Sequence, residues 1–122
     1  MSDRLANAII NKLKTGSIKN VILFSDTDTF HEPPYVVIKP ESGTIENTRV
    51  YRIIVHHQSG MLDELEDYTL KELDKMLLGD IEDEDGARYK LYPNGYKDIT
   101  PEPSDNSYFM ERLYYTPLTI RV

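Results

Sequence analysis

The spacing of apolar residues changes along this chain, and each change marks an element. Near the start, Leu5, Ile9, Ile10 and Leu13 recur at helical spacing behind a capping Ser2, and Gly16 supplies a stop. "NVILF" (20–24) is short and β-rich, whereas "SDTDTFHEPP" is polar and ends in two prolines, so it reads as a loop. "YVVIK" (35–39) predicts a second strand closed by Pro40, "ESGTIENT" a polar turn-rich connection, and "RVYRIIVHH" (49–57) a third strand pairing antiparallel with the second.

The clearest helical pattern follows in "SGMLDELEDYTLKELDKMLLG". There Leu62, Leu65, Thr69, Leu73, Met76 and Leu77 share one face, Asp63, Glu66, Asp67, Lys71, Asp74 and Lys75 lie elsewhere, and Gly79 ends the run. Beyond it, "DIEDEDG" reads as an acidic loop, "ARYKLY" as a short strand, and "PNGYKDITPEPSDNS" as a turn-rich connection. "YFMERLYYTPLTIRV" reads as an extended segment interrupted at Pro117. The order of helix, strands, long helix and strands predicts one α+β domain over residues 1–122. Its sheet is mainly antiparallel, with an N-terminal helix and a long central amphipathic helix packed on one face.

Composition narrows the chemistry. The 122 residues can bury one core without staples. With no cysteine, disulfides, thiolate metal sites and cysteine nucleophiles are excluded, and a chain kept in a reducing cytosol is expected. No apolar run is long enough for a signal peptide or a membrane span, so no membrane association is expected. The formal charge of -7 opposes a protein that grips a phosphate backbone. That charge is uneven: residues 61–86 hold eleven acids and two lysines, while the rest of the chain is slightly basic. A solvated helix face and loop account for such a sector, and so does a surface that meets a basic partner or repels DNA.

The three histidines are His31, His56 and His57. Alternation in a strand sends His56 and His57 to opposite faces, so the adjacent pair does not form one ligand set. His57 falls in line with Tyr51, Ile53 and Val55, and His56 with Val50, Arg52 and Ile54. A small metal-dependent enzyme using His31, His56 or His57 with nearby acids, and a cytosolic adaptor with an acidic helix, are the alternatives to a purely assembling protein. The acidic loop does not scan as a calcium loop, because with Gly86 sixth the first position is Ile81 and the twelfth is Tyr92. No phosphate-binding glycine loop, nucleophile elbow or zinc-helix pattern is present, so no catalytic residue, cofactor or metal is assigned.

Four stretches in order, "LANAIINKL", "PPYVVIKPE", "RVYRIIVHHQSG" running into "LEDYTLKELDKMLL", and "FMERLYYTPLTI", give the chain a resemblance to the tail terminator and tail-completion (head–tail joining) proteins of long-tailed bacteriophages. The resemblance spans about Leu5 to Leu118 and implies a non-enzymatic virion protein with a small α+β fold. Such proteins assemble in the host cytoplasm into a homo-oligomeric ring, usually of six copies. The ring caps the head-proximal end of the tail tube, stops its growth, and meets the tail tube protein and the neck or head-completion protein. DNA passes through without specific binding. On this reading Asp26, Asp28, Phe30, His31, Glu41, Thr44 and Glu46, in the two polar loops or at their margin, are candidates for contacting ring neighbours or the tube. Glu82, Asp83, Glu84 and Asp85 are candidates for an acidic lumen.

Overall fold

A computed structural model describes residues 4–24, 32–41, 48–102 and 107–117. The first helix, α1 (Arg4–Leu13), buries Leu5, Ile9 and Leu13 of the predicted stripe together with Ala6 and Ala8, while Ile10 is half-buried against the core and Ser2 lies outside the described residues. Its C-terminal turn closes with the Gly16 N–H donating to the Leu13 carbonyl at 3.0 Å. A Cβ at Gly16 would come within 2.8 Å of both Glu72 Oε2 and Met76 Sδ, so glycine lets the α1 end approach the central helix closely. The Ser17 N–H donates to Glu72 Oε2 there at 2.7 Å.

Strands β1 (Val21–Leu23), β2 (Tyr35–Glu41), β3 (Thr48–Gln58), β6 (Tyr92–Glu102) and β7 (Ser107–Pro117) form one sheet in the order β1-β2-β3-β7-β6. Among the described residues only the β1–β2 pairing is parallel. β4 (Asp80–Glu82) and β5 (Arg88–Lys90) form a separate hairpin. Between β3 and β4 a continuous helical run passes through α2 (Leu62–Asp67), a π segment (Tyr68–Glu72) and α3 (Leu73–Leu77). The molecule is thus a mixed α and β fold, mostly sheet, and among the described residues no helix is long and apolar enough to cross a membrane.

One sheet face is filled by Val36 and Ile38 of β2, Tyr51, Ile53 and Val55 of β3, and Met110 and Tyr114 of β7. Leu65, Tyr68, Leu73 and Leu77 of the helical run and the buried stripe of α1 join them in one core. The 3.6 and 2.0 periods read from the sequence meet in this layer.

Three sequence readings need correction. Most of the segment read as a turn-rich connection, Pro93 to Glu102, lies in strand β6, eleven residues long. Its Pro93, Asn94-Gly95 and Pro101 are turn signals, but β6 is an edge strand, and its ladder shifts register between Pro93 and Tyr96 and again between Lys97 and Thr100. An edge with bulges tolerates residues that a central strand rejects. Second, "DIEDEDG" is not wholly loop, since its first three residues are β4. Third, the central helix is not a plain α-helix: the Leu73 N–H donates to the Tyr68 carbonyl five residues back. Both Tyr68 and Thr69 turn inward there, while Leu62, expected on the apolar face, is exposed.

Candidate interaction face

The opposite sheet face carries no described helix. Alternation brings to it Tyr35, Val37, Lys39 and Glu41 of β2, Val50, Arg52, Ile54 and His56 of β3, and Phe109, Glu111, Leu113 and Tyr115 of β7. Tyr92 and Lys97 of β6 pair with Tyr115 and Glu111. Ile22 and Val37 are buried on this side, outside the main core cluster, and Ile54, Phe109, Leu113 and Tyr115 are half-buried. β-Branched and aromatic side chains favour strands, but placing them on both faces leaves one apolar surface beyond what the helices use.

A charged stripe crosses that surface. Arg52 donates from Nε to Glu41 at 2.7 Å and from Nη1 to Glu111 at 3.0 Å. Lys97 Nζ lies 3.7 Å from the second Glu111 oxygen. Glu111 is nearly buried, at 5% exposure, yet both carboxylate oxygens face a cation. The hydrogen bond to Glu111 is the main cause holding the Arg52 guanidinium above its ordinary range, opposed by burial and aided by Glu41. Aromatic groups flank the stripe. Tyr35 stacks on His56 at 4.4 Å, and His56 meets Phe109 at 5.5 Å. At the other end Tyr92 stacks on Tyr115 at 5.4 Å. Tyrosine, phenylalanine and arginine are the residue types enriched in protein interfaces.

The two adjacent histidines divide as alternation predicts. His57 lies on the core side, where Nδ1 accepts from the Gln58 N–H at 2.9 Å. Burial lowers its pKa, partly offset by the Glu64 charge, so His57 sits in the core as a neutral ring. His56 belongs to the aromatic stack on the other face. The two do not converge, His31 lies outside the described residues, and among the described residues no group of three His, Asp or Glu is arranged to hold a metal ion.

Sequence reading missed a polar cluster on the core face. Arg112 donates from Nε and Nη2 to the two Asp74 oxygens at 3.2 and 2.9 Å, and the Tyr114 hydroxyl donates to Asp74 Oδ1 at 2.6 Å. Burial, with this hydrogen bond second, pushes the Tyr114 hydroxyl pKa far up. The cluster ties the helix to β7 and is structural. Its sequence signal is faint: Arg112 falls in register with Met110 and Tyr114, an inward-pointing cation that requires an acid.

The predicted acidic positions separate. Asp83 is buried in the β4–β5 turn, where it accepts from the Asp85 and Ala87 N–H groups at 2.9 Å and from the Tyr89 hydroxyl at 3.1 Å. It therefore does not present its charge to solvent as expected of a lumen residue. Glu82, Glu84 and Asp85 are exposed, and Asp85 pairs with Arg4. A hollow of about 170 Å³ lies between this turn and Asn7 and Asn11 of α1. Of the loop candidates only Glu41 is described, held by Arg52; Asp26, Asp28, Phe30, His31, Thr44 and Glu46 lie outside the described residues.

No protein-family model matches the chain, and no curated protein matches it. Among solved structures, a protein without a descriptive name matches with a TM-score of 0.62. The match covers 98% of this chain and 93% of the other at 12% identity, a likeness of fold alone.

Proposed function

We propose that this chain is a virion assembly protein that works as phage tail terminators do. Copies form a ring of six on the head-proximal end of the tail tube, stop its growth and present a docking surface to the neck. The observation that supports the reading is the second sheet face, an apolar and aromatic surface crossed by an internally paired charge stripe and bare of described helices. Such a surface fits protein–protein contact better than small-molecule chemistry, which needs a concave site with convergent polar groups. The finer fold, helices on one face of a mainly antiparallel sheet, belongs to the same reading because it leaves the other face for neighbours.

The test is to mix purified protein with its tail tube protein and image the product. Ring-capped tubes of uniform length are expected. Tubes that keep growing, with the protein still monomeric, reject the proposal.

A further inference from the structure

We propose that Asn94 is a site of spontaneous covalent modification: it cyclises onto the Gly95 nitrogen, loses ammonia, and reopens as aspartate or isoaspartate on the edge of the sheet. The reaction does not depend on assembly into a ring. Asn94-Gly95 is the chain's single Asn-Gly pair. Cyclisation needs an asparagine side chain able to swing back, a following nitrogen that no side chain shields, and water. Glycine supplies such a nitrogen, because it has no Cβ.

The fold meets these needs. Among the described residues no strand lies beyond β6 in the sheet. On its inner side the ladder pairs Pro93 with Tyr114 and Tyr96 with Arg112, so Asn94 and Gly95 together oppose Leu113. Two residues facing one is a β-bulge, where the ladder is locally disrupted. Both residues are exposed. Gly95 has a φ of +96°, and a Cβ there would meet nothing within 4 Å. That open space is available to the closing ring and to water.

The chain's Asp-Gly pair, Asp85-Gly86, is the contrast. It could close the same ring by losing water, but its atoms are engaged. The Gly86 N–H donates to the Asp83 carbonyl at 3.0 Å, the Asp85 N–H donates to Asp83 Oδ1 at 2.9 Å, and the Asp85 carboxylate pairs with Arg4. The folded turn therefore holds that pair apart.

At Asn94 the Gly95 nitrogen gives up its proton and attacks Cγ. The N–Cγ bond forms, the Cγ–Nδ2 bond breaks, and Nδ2 leaves as ammonia. Water then opens the ring at one of its two C–N bonds. Breaking N–Cγ gives aspartate, whereas breaking the original peptide bond reroutes the main chain through Cγ and gives isoaspartate. Water is the only co-reactant. Either product places a new carboxylate next to Gly95, whose carbonyl accepts from Arg112 Nη1 at 3.4 Å. Arg112 also holds Asp74, so the new charge arises beside the tie between β7 and the central helix.

Peptide mapping by mass spectrometry tests it, on the folded full chain held at neutral pH and physiological temperature. The peptide containing Asn94 should gain the mass of an acid replacing an amide and resolve into two products of equal mass. Its rate should lie within tenfold of that in the urea-unfolded chain. Asn94→Gln, whose longer side chain closes its ring far more slowly, should cut the rate at least tenfold and leave the melting temperature unchanged. Asp85 should form isoaspartate in the unfolded chain only. No conversion of Asn94 in the folded chain, whatever the unfolded chain does, overturns the site. Aspartate without isoaspartate overturns the ring route. Isoaspartate forming at Asp85 as fast as at Asn94 in the folded chain overturns the role of the bulge.

Discussion

Tyr68 and Tyr114 both bury their rings in the core, but their hydroxyls have opposite fates. The Tyr114 hydroxyl donates to Asp74, whereas the Tyr68 hydroxyl makes no hydrogen bond among the described residues. A bond to a charged group contributes about 2 kcal/mol, and a buried group without a partner carries a desolvation penalty of similar size. Tyr114→Phe should therefore destabilise by about 2 kcal/mol, and Tyr68→Phe should leave stability unchanged or raise it by about 1 kcal/mol, both read from urea midpoints at constant slope. His57 gives a pH signature. Because burial lowers its folded-state pKa, the unfolded chain takes the proton first once pH drops below 6.5. Stability at His57 is intact above that pH and is lost as pH falls from it through the folded-state value. Melts over this window should show a loss in the wild type that His57→Leu reduces; equal slopes in both proteins would reject a neutral buried ring.

At the scale of elements, much was legible because pattern and fold agree. The alternation of β3 yields Tyr51, Ile53, Val55 and His57 on one face, and all four are buried. The helical face over Leu65, Thr69, Leu73 and Leu77 is likewise buried. What failed was governed by context that local sequence does not carry. β6 carries two prolines and an Asn-Gly pair that a central strand would reject and an edge tolerates. Whether Asp83 is a surface acid or a turn anchor depends on a folded turn that turns its carboxylate back onto backbone N–H groups. That turn makes a prediction: Asp83→Ala removes the acceptor of three hydrogen bonds and should cost about 2–3 kcal/mol, while Glu84→Ala, one residue on and exposed, should cost less than about 0.5 kcal/mol. Equal effects in thermal melts would remove the turn-anchor role.

For the whole molecule, the sequence announced two kinds of charge but not where each would sit. Its excess of acids in 61–86 resolves into four fates: Asp74 locked to Arg112, Asp83 locked in a turn, Glu72 held by Ser17 at the end of α1, and exposed acids including Glu82 and Glu84. Only the last group can act at a distance on DNA. If the β4–β5 hairpin lines the ring's passage, these acids keep passing phosphates unbound. The test must spare Asp83, whose replacement disturbs the turn, and Asp85, which pairs with Arg4. Glu82→Lys with Glu84→Lys leaves both in place and reverses charge at exposed positions. In the proposed ring that reversal would recur once per copy, so a weak repulsion would become a collar of cations. Tails of normal length should still form, because the proposed contact surfaces are untouched. Infectivity per assembled particle should fall, and isolated rings should retain duplex DNA at low salt and release it steeply as salt rises, the mark of phosphate contacts. Full infectivity with no salt-dependent DNA retention would place the hairpin away from the passage, on the outer wall of the ring.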